Sequence, residues 1–160
     1  MKILHLLPGG VLMLAAATAL AQPMGGPMMG GGMMNGGMMM ENASPRRPYV
    51  MRNGLPAPYR SLRNPLPATS DNISAGKQLY LTQCAACHGN DGRGNGPAAA
   101  QLDPRPADLS TALRTPIASD AYLYWTIGEG GTPVGSAMPP FKNSLRADEA
   151  WKIILYLRHL

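Results

Sequence analysis

The stretch Cys84-Ala85-Ala86-Cys87-His88 decides how the rest of the chain is read. It holds both cysteines of the 160-residue chain and one of its three histidines. The run before it, Ser74-Ala75-Gly76-Lys77-Gln78-Leu79-Tyr80-Leu81-Thr82-Gln83, predicts a helix leading into the motif. On helical geometry positions 84, 87 and 88 fall at i, i+3 and i+4, one face of about one turn. Two thiols and an imidazole so placed can bond to the two vinyl groups at one edge of a haem and reach its iron, and C-x-x-C-H is the pattern of covalent haem attachment. A redox dithiol needs no following histidine and usually sits beside a βαβ pattern, which is missing here. A zinc site needs further ligands that His159 alone does not supply. The expected cofactor is one haem c, with Cys84 and Cys87 as thioether links and His88 as an axial iron ligand.

The iron's other face requires a second ligand. Residues 71–160 contain a single methionine, Met138, in Gly135-Ser136-Ala137-Met138-Pro139-Pro140-Phe141. A residue before proline is pushed away from helix, and the two prolines stiffen the loop beyond it. Such a loop can hold a thioether at a fixed distance from a metal, and His/Met ligation raises the reduction potential. Met138 is the expected ligand. The alternatives are His159, Lys77, Lys142, Lys152, a methionine from the N-terminal region, or a Met138 that merely fills a gap in the core.

Outward from this centre the composition changes. Lys2 followed by the apolar or small run Ile3 to Leu20, and the small-x-small site Ala19-Leu20-Ala21, predict a secretory signal peptide over residues 1–21. An uncleaved anchor is the alternative, weakened by Pro8, Gly9 and Gly10. Residues 22–43 form a Gly/Met-rich low-complexity segment in which Met24 to Met40 include eight of the chain's twelve methionines. Little secondary-structure pattern is visible there, and disorder is expected. Thioethers suit Cu(I), so Cu(I) binding at Met24–Met40 is a second reading of that segment. Residues 44–70 hold six prolines and five arginines, and predict an extended, semi-rigid linker or strap with Tyr49, Leu55, Tyr59 and Leu62 available to dock.

The formal charge of +5 is unevenly spread: residues 22–70 carry five Arg against Glu41, while residues 71–160 carry eight basic and eight acidic groups. The basic strap could meet an acidic partner surface or anionic headgroups at a membrane. Nucleic acid is not expected, since no basic-aromatic interleaving is present. Nineteen Gly and sixteen Pro in 160 residues, with only two Cys, argue against a multidomain enzyme and a disulfide scaffold alike.

Through Cys84-Ala85-Ala86-Cys87-His88 and Met138-Pro139, residues 71–160 resemble a class I (monohaem) cytochrome c domain. The resemblance implies an all-α fold of three to four helices around one covalent haem, preceded here by a disordered or extended tail. Gly76 and Tyr80 match the family's glycine and aromatic on the first helix, which the last helix crosses closely. That last helix is expected over 146–158, with Trp151, Ile154 and Leu155 as an apolar stripe. Gly96-Pro97 matches the family's Gly-Pro, whose proline carbonyl would accept the ring N–H of His88. A middle helix over 120–127, capped by Ser119 and ended by Gly128, would bring Tyr122, Leu123, Trp125 or Ile127 near the macrocycle.

The function implied is a one-electron carrier, periplasmic or otherwise exported. It would serve redox protein partners as a free shuttle or as the electron-transfer subunit of an oxidoreductase complex. No nucleophile, general base or open metal position is visible, so no catalysis by this chain alone is expected. A five-coordinate haem, as in a gas sensor or peroxidase, is the remaining alternative.

Overall fold

The computed structural model describes residues 44–160, which contain six α-helices, two short 3-10 turns and no strand among the described residues. The signal segment and the Gly/Met-rich segment, with the Cu(I) expectation for Met24–Met40, lie outside them. The α-helices are α1 (Arg46–Asn53), α2 (Ser70–Gln83), α3 (Ala85–His88), α4 (Leu109–Ala112), α5 (Asp120–Glu129) and α6 (Ala147–Leu157). No described helix is long and apolar enough to cross a membrane.

The first and last helices of the haem-motif domain meet as the sequence predicts. Thr69 caps α2 by accepting from the Asn72 amide, and Asp71 places a negative charge at the positive end of its dipole. On α6 the Glu149 carboxylate accepts from the Arg146 amide at 2.9 Å. The two helices cross at Gly76, where a Cβ would overlap the backbone carbonyl of Lys152, so only glycine lets them approach this closely. One turn on, Tyr80 is wholly buried, packs 5.3 Å from the Tyr156 ring, and donates its hydroxyl proton to the Gly89 carbonyl at 2.7 Å. Ile153, Ile154 and Leu157 of α6 complete this core with Leu123 and Ile127 of α5. Trp151 stacks on Tyr124 at 4.1 Å, joining α6 to α5 from the other side.

Residues 44–70 depart from the extended strap read from their prolines. Pro45 stands at the N-cap of α1 and Pro48 in its first turn. Those positions have no intrahelical acceptor for an N–H, so proline costs little there and its fixed φ favours the helix. The rest of the segment is pinned onto the domain. Leu62 and Leu66 pack against the core, the Asn64 amide side chain donates to the Trp151 carbonyl at 3.0 Å, and the Asn64 backbone N–H reaches Asp120 at 3.2 Å. Ser119 caps α5 as expected, but the helix runs through Gly128 to Glu129 and stops at Gly130, whose φ is 60°. Gly128 keeps ordinary helical space around it, whereas Gly130 must turn the chain toward the Met138 loop.

Candidate haem site

The cysteine-histidine motif forms a turn of its own. The chain leaves α2 at Cys84, and the Cys84 carbonyl accepts from the Cys87 amide at 3.1 Å and the His88 amide at 2.9 Å. These i+3 and i+4 bonds put Cys84, Cys87 and His88 on one side of a single turn, and all three line one cavity of about 530 Å³. The carbonyls at the end of that turn are satisfied by the following loop: the Gly94, Gly96 and Ala98 amides donate to His88, Cys87 and Ala86. A Cβ at Gly96 would overlap the Ala86 carbonyl, so this loop needs glycine to lie flat on the turn.

That packing corrects the expectation for Pro97. Pro97 sits on the back of the turn with Gly96, and the His88 ring Nδ1 instead meets the Ala107 carbonyl at 3.2 Å. Because a carbonyl can only accept, Nδ1 carries the proton and Nε2 keeps its lone pair for a metal. Ala107 is held there by the pairing of the Leu109 amide with the Gly92 carbonyl, on a stretch that also presses the Pro106 carbonyl against Gly94. Burial lowers the His88 pKa from its ordinary value and so favours the neutral imidazole, with the Ala107 bond opposing it. Both cysteines are unpaired, and burial together with Cys87 pushes the Cys84 thiol up to about 12.

Met138 arrives from a segment fifty residues further along and lines the same cavity. Its carbonyl accepts from the Gly131 amide at 2.6 Å, and the Ser136 amide returns to the Gly131 carbonyl at 3.2 Å. A Cβ at Gly131 would overlap the Ser136 carbonyl, which ties the Met138 loop to the end of α5. The alternatives His159, Lys77, Lys142 and Lys152 do not line the cavity.

Helix α5 supplies the wall that includes Tyr122, Leu123, Thr126 and Ile127. Trp125, expected near the macrocycle, is instead 1% exposed outside the cavity. Two residues beyond Leu123 is about 200° around a helix, so Trp125 points away from the Leu123 side chain. The Tyr49 ring of α1 stacks on it at 5.8 Å, and the Arg46 guanidinium lies between it and the cavity that Arg46 lines, 5.0 Å from the ring centroid. Sequence reasoning missed Ala107, Arg46 and the rest of the 44–48 segment, all of which line the cavity.

The site fits a haem. A cavity of this size lies within the range of cofactor pockets. Its walls bring Leu123, Ile127, Phe141, Ile153 and Leu157 around two thiols, an imidazole and a thioether. The family described as cytochrome C oxidase, cbb3-type, subunit III matches residues 71–157. No curated protein matches the chain. Among solved structures it is similar to a chain of the Kuenenia stuttgartiensis reducing HAO-like protein complex Kustc0457/Kustc0458. The two are 30% identical with a TM-score of 0.53, over 69% of this chain and 53% of that one. This chain therefore spans about half the length of that relative.

Proposed function

Because the chain belongs to the cytochrome c family of cbb3-type oxidase subunit III, we propose that it is an exported one-electron carrier with a single covalent haem c. Haem-dependent electron transfer is the role of the domain; the finer assignments rest on the site. Cys84 and Cys87 are the thioether links, and His88 and Met138 the axial ligands. The observation that carries this reading is that one half-buried turn and one distant Met-Pro loop bring all four residues to the lining of the same largely apolar cavity. A bound haem supplies a ferrous/ferric couple. The chain would hold it through His88 and Met138, fixes the His88 tautomer through Ala107, and lines its site with apolar side chains of α5 and α6 and with Phe141.

The partners are redox proteins, a reading supported by the likeness to a chain of a reducing HAO-like protein complex. Arg47, Arg52, Arg60 and Arg63 are exposed on the segment before the domain, and suit an acidic docking surface or anionic headgroups. Carbon monoxide tests the ligation. Reduced wild-type protein is expected not to bind it at neutral pH, whereas Met138→Ala, with an open iron position, binds it rapidly. Rapid binding by wild type would replace His/Met ligation by the five-coordinate alternative.

A further inference from the structure

Arg46 is the one charged residue among those described that is buried, at 4% exposure, and it lines the haem cavity. Its Nη2 donates to the Gly130 carbonyl and its guanidinium lies 5.0 Å from the Trp125 ring centroid, so the side chain is fixed from two sides. Its Nη1 is buried with no hydrogen-bond partner. Among the described residues only one other buried side-chain polar atom is orphaned, the Thr126 hydroxyl, and Thr126 lines the same cavity. Tyr122, one turn earlier on α5, lines it too. An unpaired buried polar group is destabilising, the more so when charged, so two in one cavity point to a ligand that accepts hydrogen bonds and carries negative charge.

Among the described residues no acid pairs with Arg46. Asp108 lines the cavity but is exposed and spends its carboxylate on Ser110 and Thr111 as the cap of α4. Glu129 accepts from Tyr59 and Lys142. Arg47 and Arg105 also line the cavity, yet both are exposed and screened by solvent. A planar guanidinium with a free N–H is matched to a carboxylate, and the polar groups at the rim of an otherwise apolar haem are its two propionate carboxylates. We propose that Arg46, Thr126 and Tyr122 form the propionate subsite. The segment preceding residues 71–157 then completes the haem pocket and sets its potential. This rests on the haem reading above. In it α1 is part of the cofactor site, and the one buried arginine of the basic segment serves the haem while Arg52, Arg60 and Arg63 are exposed and stay out of the cavity lining.

The test uses the full matured chain with Arg46→Gln, Arg46→Lys, Thr126→Val and Tyr122→Phe. Removing a buried positive charge beside the haem favours the ferric state. Arg46→Gln is expected to lower the reduction equilibrium constant about tenfold, ~59 mV for one electron, and to shift the propionate bending mode in resonance Raman spectra. Arg46→Lys restores most of the potential, and Thr126→Val and Tyr122→Phe each give a smaller fall. If Arg46 were only a strut between Gly130 and Trp125, Arg46→Gln would lower thermal stability while leaving potential and Raman mode unchanged, and that result overturns the proposal. Should Arg46→Gln fail to mature, unchanged potentials in both Thr126→Val and Tyr122→Phe overturn it equally. Failure of the haem reading itself looks different: wild type would then show no haem absorption at all.

Discussion

At the scale of single residues, close approach at two glycines sets how the elements that line the cavity meet. Gly76 allows α6 to lie on α2, and Gly131 allows the Met138 loop to lie on the end of α5. Gly76→Ala is expected to destabilise the matured protein by about 3 kcal/mol, because the added methyl meets backbone that cannot rotate away. A denaturation midpoint equal to wild type would show that the crossing relaxes freely. Gly76, Tyr80 and the turn of Cys84, Cys87 and His88 were legible in the sequence because each is a side-chain identity at a fixed spacing, and Met138, which lines the same cavity, was legible from the prolines that follow it. The partner of His88 was not. A backbone carbonyl has no sequence signature, and the Ala107 carbonyl reaches the imidazole only through the pairing of two loops. Arg46 was equally hidden, since one buried arginine among five in a basic segment looks like its neighbours.

At the scale of elements, the segment before the domain is tied down by polar contacts that titrate. The Tyr59 hydroxyl donates to the Glu129 carboxylate, which also receives the Lys142 ammonium at 2.8 Å. Lys142 first and Tyr59 second hold Glu129 below its ordinary 4.5, so its contribution is complete above that pH and fades as the pH falls below it. Burial, then the Glu129 bond, raises Tyr59 from 10 to about 12; its contribution is complete below pH 10 and is lost as the pH rises toward 12. Stability should therefore be flat in between and fall on both sides, each limb worth about 1 kcal/mol because both groups are partly solvated. Tyr59→Phe is expected to shrink both the alkaline and the acid fall in urea midpoint, with the burial-raised Tyr80 and Tyr122 keeping part of the alkaline one; an unchanged alkaline limb contradicts the link. The middle and last helices were readable from Ser119 and from the Trp151, Ile154, Leu155 stripe. Helix α1 was not, since prolines that favour extended chain on average are neutral in a first turn.

At the scale of the whole molecule, one cavity organises the described residues. Helix α1, the turn of α3, the loop around Ala107, helix α5, the Met138 loop and helix α6 all contribute to its lining. A domain of this size has little core to spare, and a bound haem would supply the apolar contact at its centre. The account therefore depends on covalent attachment at Cys84 and Cys87, and extraction with acidified organic solvent tests it most directly, using protein matured in a host that attaches haem. The chromophore is expected to stay on the protein, with both thiols unreactive to alkylating reagents. Haem that passes wholly into the solvent, leaving Cys84 and Cys87 free to alkylate, would contradict it.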